Sequence, residues 1–282
     1  MTPPYVSVIV IAHNVLDELR YCLPSLEHGA GDLELETILV DNGSTDGTAE
    51  AIAREFPDVQ ILRLASNEGV PARNHGLRRA SGRYRMFLDS DAQLTAGALT
   101  TMIDRLERMP NVGLVGPRLV YPSGELQLSV RRFPPLSMPV LRLPGLRGFF
   151  EHRRVIRRHL VADGPHHRRL AEYVLGACQV FRAEAQADAG EIDRKIWFGP
   201  DDADWCFSMR RAGWDILYEP DATVIHTYRR TSAAKPLSRH ALRHLIAYFH
   251  FQRKWRSDRR RLRAEGRAMD ARAARAPLDL PR

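Results

Sequence analysis

Two hydrophobic rhythms alternate along roughly the first 130 residues. Short β-branched runs, VSVIVIAHN (6–14), LETILVDNGS (35–44), VQILRLA (59–65) and RYRMFLDSD (83–91), have the length and composition of buried strands. Between them, residues 17–29, 48–57 and 70–82 carry apolar positions every third or fourth residue, as amphipathic helices do, and Gly82 lies past the end of the last. This strand–helix repeat predicts a parallel, doubly wound α/β sheet, with functional groups at the carboxyl ends of its strands.

Another helix is expected over 94–109, followed by VGLVGPRLVYPSGELQ (112–127), a hairpin around its PSG turn. Residues 131–169 lose periodicity and become rich in Pro, Arg and His, which predicts a long, partly mobile surface excursion. EYVLGACQVFRAEA (172–185) returns to strand and helix, and 197–226 reads as loop, helix, a Gly213 cap and closing strands. The pattern divides the chain into an α/β body over 1–228 and a helical extension over 229–282.

Charge sharpens that boundary. The whole chain is +8, but residues 229–282 hold 16 Lys and Arg against 4 Asp and Glu, a balance of +12, which leaves −4 for residues 1–228. A uniformly basic nucleic-acid binder would not divide this way, so nucleic acid is not an expected partner. Three widely spaced cysteines lack metal-ligand spacing, so a reduced cytosolic compartment is expected and no chemistry is assigned to them. The N-terminal apolar run is too short for a signal peptide, and no window is long and apolar enough to span a membrane.

Four stretches carry candidate chemistry. In LVDNGSTDGT, Asp41 ends a strand before two tight-turn pairs, where it can accept a ring N–H of uracil, thymine or guanine, or merely cap the turn. In SNEGVPARNHG (66–76), Arg73 falls in the first turn of a helix, either facing an anion or a base edge or simply solvated. In FLDSDA, Asp89 and Asp91 follow a buried run, and residues i and i+2 of an extended chain share a face. Two converging carboxylates repel unless something cationic binds, and Mg²⁺ or Mn²⁺ is the natural neutraliser; the alternative is a capped loop. In GPDDADW (199–205), Asp201, Asp202 and Asp204 enter a helix whose dipole accounts for one or two of them. A surplus carboxylate against Trp197 or Trp205 would have its pKa raised toward use as a general base.

In this order and spacing the four stretches resemble the family 2 glycosyltransferases of the GT-A fold, over about residues 6–226 and most closely the rhamnosyltransferase-like branch. The resemblance implies an inverting, metal-dependent enzyme that moves a sugar from a nucleoside-diphosphate donor, thymidine-diphosphate-rhamnose or a uridine-diphosphate sugar. The acceptor would be a glycan or polyprenyl-diphosphate-linked hydroxyl in cell-envelope polysaccharide assembly. Position by position, it implies donor contacts at Ala12, Asn14, Asp41, Arg73, Asp89 and Ser90, with Asp41 on the base and Asp89 near the ribose. Asp91 and Asp89 would hold the metal, completed by His226, which read alone is equally a satisfied buried histidine. Asp202 would be the catalytic base, with Gly176, Ala177, Asp201 and Trp205 toward the acceptor. The chain departs from the family at Asp201, where Glu is common.

The expected rivals are a nucleotide-sugar-binding protein without catalysis and a sugar-1-phosphate nucleotidyltransferase. AHNVLDE after the first strand is not the Gly-rich, basic phosphate loop that the latter expects. In the extension, Leu242, Leu245, Ile246 and Phe249 recur at helical spacing among arginines. This reads as a helix packed on the body or as one seated on an anionic membrane surface, which would make the protein cytoplasmic and peripheral to the inner face of the cell membrane.

Overall fold

The computed structural model describes residues 4–134, 159–161, 167–227 and 239–275. Most of the arginine-rich excursion and residues 228–238 lie outside the described residues. The strand–helix repeat appears as β1 (Val6–Ala12), α1 (Leu16–Ala30), β2 (Leu35–Asp41), α2 (Thr48–Glu55), β3 (Gln60–Arg63), α3 (Arg73–Arg79) and β4 (Tyr84–Asp89). A short 3₁₀ turn, Val70–Ala72, precedes α3 where one continuous helix was expected. β1 pairs in parallel with β2 and β4, and β2 with β3, as the pattern required.

After β4 the chain turns through Ser90 and Asp91 into a short strand, β5 (Ala92–Leu94), before α4 (Ala98–Arg108). β6 (Val112–Val120) and β7 (Leu126–Gln127) form the expected antiparallel hairpin. Four further short strands follow: β8 (Val130–Arg131), β9 (Arg169–Leu170), β10 (Tyr173–Val174) and β11 (Cys178–Arg182). Then come α5 (Ala183–Ala189), α6 (Asp201–Arg211) and β12 (Asp215–His226). The closing strands expected near the C-terminus are thus one long strand. Its register shifts between Glu219 and Thr223, around Pro220, which has no N–H to give a ladder.

The main sheet runs β3-β2-β1-β4-β11-β6-β12-β5, with β7 and β9 attached at β6 and β12. β11 enters antiparallel between β4 and β6, which makes the sheet mixed. Alternation along the strands fills both faces: Val6, Val8 and Val10 of β1 enter one core with Met86 and Leu88, while Ile9 enters the other with Phe87. The second core also receives Ala247 and Phe251 of α7 (Arg239–Lys254), Trp255, and Leu262 of α8 (Arg259–Arg275). The basic extension therefore packs on the body through one face. The three cysteines are buried and unpaired.

Candidate active site

The carboxyl ends of β1, β2 and β4 lie side by side, with Ala12 in register with Asp41 and Ile11 with Asp89. Asp41 is buried, and one of its oxygens accepts the Ser44 N–H at 3.0 Å, so the turn-capping role is realised. Asn14, in the left-handed region at φ 56°, accepts the Thr45 N–H at 2.8 Å, and its own N–H donates to Ser44 Oγ at 3.1 Å. These bonds tie the ends of β1 and β2 into one rim. Ala12, expected to touch the donor, is buried in the core and its carbonyl accepts the Asn42 N–H at 2.8 Å, so it shapes that rim without presenting a side chain.

Asn42, read in the sequence only as part of a tight-turn pair, has a further role through its side chain. Its Oδ1 accepts the Glu68 N–H at 2.8 Å, and its Nδ2 donates to the Gly69 carbonyl at 3.1 Å, which braces the turn leading to Arg73. Gly69 has φ +72°, and a Cβ there would strike the Trp197 carbonyl and indole, so glycine lets the turn close against that loop.

Arg73 is not a solvated helix arginine. Its side chain is 4% exposed, its guanidinium donates to Asp89 Oδ1 at 2.5 Å and to the Gly176 carbonyl at 3.2 Å, and it lies 4.7 Å from the Phe87 ring centre. A Cβ on Gly176 would stand 3.5 Å from both Arg73 and the Asp202 Cβ, and 3.9 Å from Asp201 Oδ2. One arginine and one glycine thus stand between two carboxylate pairs.

The first pair is Asp89 and Asp91, with Ser90 bending the chain between them. His226, ending β12, brings its Nε2 to 3.4 Å from Asp91 Oδ1 and 4.0 Å from Asp89 Oδ2. The Thr227 N–H donates to the Asp91 carbonyl at 3.0 Å and fixes the two segments together. Ligand atoms of Asp89, Asp91 and His226 all lie within 4.8 Å of one another, a set of two carboxylate oxygens and one imidazole nitrogen that fits a divalent cation. Burial raises the Asp89 pKa, with Arg73 opposing and Asp91 reinforcing the shift. Burial disfavours charge on His226 too, but the Asp91 hydrogen bond and the two carboxylate charges outweigh it and raise its pKa.

Gln127 decides how His226 is presented. Its amide N–H donates to the His226 carbonyl at 2.5 Å, which turns its Oε1 toward His226 Nδ1 at 2.9 Å. An amide oxygen only accepts, so Nδ1 carries a hydrogen and Nε2 faces the carboxylates, donating to Asp91 when the ring is protonated and free to ligate a cation when it is neutral. A lone glutamine after a hairpin turn gave no sequence signal for this role.

The second pair is Asp201 and Asp202 at the start of α6. Asp201 Oδ1 accepts the Gly199 N–H at 3.1 Å, and Asp202 Oδ1 accepts the Ala203 N–H at 2.8 Å. Burial, reinforced by the Asp202 charge and opposed by Arg73, pushes the Asp201 carboxyl up to about 7. A carboxylate pair that holds a proton near neutrality can take part in proton transfer.

Two expected contacts need correcting. Trp205 is 2% exposed and packs its indole against Phe87 and Phe181, with ring centres 5.6 and 5.4 Å away, so it is a core residue with no face toward an acceptor. Ala177 is buried and its carbonyl accepts the Asp89 N–H at 2.8 Å, so it positions Asp89 through the backbone. Asp204 stands in the acidic first turn of α6, as the dipole reading allows, and also reaches into the interior, where Trp255 Nε1 and Lys254 Nζ each donate to it at 2.8 Å.

A mixed α/β sheet of this order, with a paired-aspartate turn beyond β4 and an acidic helix start opposite, is the GT-A architecture of glycosyltransferases. The chain belongs to glycosyl transferase family 2, whose sequence profile matches residues 7–171. It is similar to an N-acetylglucosaminyl-diphospho-decaprenol L-rhamnosyltransferase of Mycobacterium tuberculosis, 26% identical over 243 residues that cover 80% of this chain and 79% of the relative. A pre-mycofactocin glycosyltransferase of the same organism is 29% identical over 79% of this chain, which spans 43% of that relative. Among solved structures, a Pyrobaculum calidifontis mannosyltransferase in complex with GDP-Man and Mn²⁺ aligns over all of this chain and 78% of its own, at TM-score 0.57 and 21% identity. GalNAc-T7 with UDP, GalNAc and Mn²⁺ aligns at TM-score 0.59 and 15% identity, over 84% of this chain, which spans under half (46%) of that structure.

Proposed function

We propose that this glycosyltransferase is inverting and metal-dependent, and that it transfers a sugar, rhamnose from its thymidine diphosphate being the first candidate, to a hydroxyl of a polyprenyl-diphosphate-linked glycan in cell-envelope polysaccharide assembly. The observation that carries this reading is the meeting of two unlike carboxylate pairs at Arg73 and Gly176. One pair is joined by a histidine into a set that could hold a cation; the other has a carboxyl whose pKa is pushed up to about 7. The M. tuberculosis rhamnosyltransferase supports the choice of sugar and of acceptor class by its likeness.

A divalent cation held by Asp89, Asp91 and His226 would neutralise the diphosphate of the donor. The rim formed by Asn14, Asp41 and the Asn42-braced turn offers the groups that would orient the nucleoside. Arg73, fixed by Asp89 and the Gly176 carbonyl, keeps a preorganised positive charge between the two pairs. Asp202 takes the acceptor hydroxyl proton as that oxygen attacks the anomeric carbon from the face opposite the leaving group. Inversion of configuration follows, with the base contributing on the order of 10²–10⁴ in rate.

The test is a transfer assay with thymidine-, uridine- and guanosine-diphosphate sugars on a polyprenyl-diphosphate-linked N-acetylglucosamine, with and without Mn²⁺, followed by proton NMR of the product. Metal-dependent transfer with an inverted anomeric centre is expected. Retention of configuration, or full turnover in the presence of a chelator, would overturn the mechanism.

A further inference from the structure

The face of α7 turned away from the protein is not accounted for by packing. Ala247, Tyr248, Phe251 and Trp255 are buried on the inward side, whereas Leu242, Leu245, Ile246 and Phe249 are exposed, the last at 59%. At 3.6 residues per turn these four side chains fall within an arc of about 100°, one continuous apolar stripe. No acidic residue occurs anywhere in α7.

The stripe runs toward a cationic concavity. Arg253, Arg256, Ser257 and Arg260 line one depression at the turn between α7 and α8. All three arginines are exposed, and among the described residues none of them is in an ion pair. The nearest acid in sequence, Asp258, is engaged by Arg261 at 3.2 Å.

The helix is also held against the segment that carries the second carboxylate pair. His250 and Lys254 meet Asp193 Oδ2 at 2.9 and 3.2 Å, and Lys254 and Trp255 grip Asp204. Arg243 lies 4.5 Å from the Trp197 ring centre. The His244 ring packs so closely on Gly199 that a Cβ there, at φ +131°, would meet it at 2.7 Å. Phe198, itself 40% exposed, adds to the apolar surface beside it. Gly199 is two residues from Asp201, so α7 flanks the approach to the acceptor side of the site.

We infer that the outer face of α7 and the Arg253–Arg256–Arg260 concavity form one docking surface for an anionic lipid bilayer, with Leu242, Leu245, Ile246 and Phe249 entering the acyl boundary and the arginines meeting lipid phosphates. Charge selects this occupant over a second copy of the chain: an extension of +12 repels its like and is drawn to an anionic surface. A surface of this kind beside Gly199 brings the site to a lipid-diphosphate acceptor that cannot leave the membrane. The inference deepens the acceptor class proposed above and rests on that reading for its purpose. The vesicle measurement contains no acceptor, so the two stand or fall separately.

The experiment is sedimentation of the full chain with vesicles of phosphatidylcholine alone or mixed with phosphatidylglycerol, over a range of salt. Wild type is expected to bind the anionic vesicles and to release as salt rises. The exposed double variant Ile246→Ser/Phe249→Ser should bind both vesicle types on the order of 10²-fold more weakly, from lost apolar burial. The variant Arg253→Ala/Arg256→Ala/Arg260→Ala should lose on the order of 10²-fold toward anionic vesicles only. Melting curves and thermal shift with nucleoside diphosphate and Mn²⁺ should match wild type for both variants, because none of these side chains belongs to the core or the site. Equal sedimentation of wild type and variants would overturn the inference, as would a wild-type dimer, seen by light scattering without vesicles, that the double variant abolishes.

Discussion

Asp89–Asp91 and Asp201–Asp202 are the same chemistry placed in two settings. The first pair closes a strand that the sheet holds rigid, and a histidine arrives from the far end of β12 to share it. The second pair opens a helix and has a carboxyl pushed up to about 7 by burial and by its neighbour's charge. Arg73 touches Asp89 directly and acts on Asp201 only through its field. Like charges can be relieved by a cation or by a proton, and the donor set around each pair selects which.

The largest effect expected from breaking this contrast is at Asp202. Asp202→Asn should lower transfer by about 10²–10⁴-fold while leaving metal-dependent binding of the nucleoside diphosphate intact, as read by calorimetry beside the transfer assay. Near wild-type turnover would remove the base assignment.

Asp91→Ala should do the reverse. It leaves His226 and Asp89 with one fewer oxygen for the cation, so metal-dependent nucleoside diphosphate affinity should fall by on the order of 10²-fold, as hydrogen-bonded charge partners of this kind are worth about 3 kcal/mol. Unchanged affinity in calorimetry would place the cation elsewhere.

Asp201 sharpens the comparison through pH. Its carboxyl is protonated below about 7 and ionises above it, so the wild-type rate should carry a limb that rises through pH 7. An asparagine cannot ionise, and Asp201→Asn should lose that limb with a few-fold change in the plateau rate. Persistence of the limb in the variant would assign it to another group.

The smallest effect on turnover is expected at Asp204, in the same acidic run. Its carboxylate joins α6 to Lys254 and Trp255 in the interior, so Asp204→Ala should reduce stability by about 3 kcal/mol in urea melts and leave the rate within a few-fold. A rate loss like that of Asp202→Asn without destabilisation would reverse their roles. Asp193, held down to about 2 against burial by His250 and Lys254, belongs to the same clamp. Its contribution is complete above the ordinary aspartate range and fades as pH falls from about 4 toward 2, where α7 should loosen first.

Periodicity sufficed for the parallel half of the sheet because β1, β2 and β4 are buried on both faces and their apolar runs break sharply at Asp41 and Asp89. The antiparallel insertion of β11 and the single long β12 were not legible, since a five-residue apolar run is the same in either direction. The four acidic and basic stretches were visible as candidates because tight turns and like-charge pairs are local features. Their sorting was not. Asp204 and Asp202 differ by two positions, and only the arrival of Trp255 from fifty residues away turned one into a structural anchor.

The C-terminal extension divides along the same line. Sequence alone determined that a basic amphipathic helix lies there, because the spacing of Leu242, Leu245, Ile246 and Phe249 and the +12 charge are properties of the chain itself. Which side packs was decided by tertiary structure. Phe251 and Trp255 fill a core made by Phe133 and Phe207, and the rigid helix then has to present the other stripe outward. The same division holds for the site: local chemistry fixed which residues could act, and contacts between distant segments, Arg73 to Gly176, His226 to Asp91 and Gln127 to His226, decided which of them meet. A one-dimensional pattern carries each residue's capacity but not its partners, whose approach is set by how the sheet and helices close around a shared core.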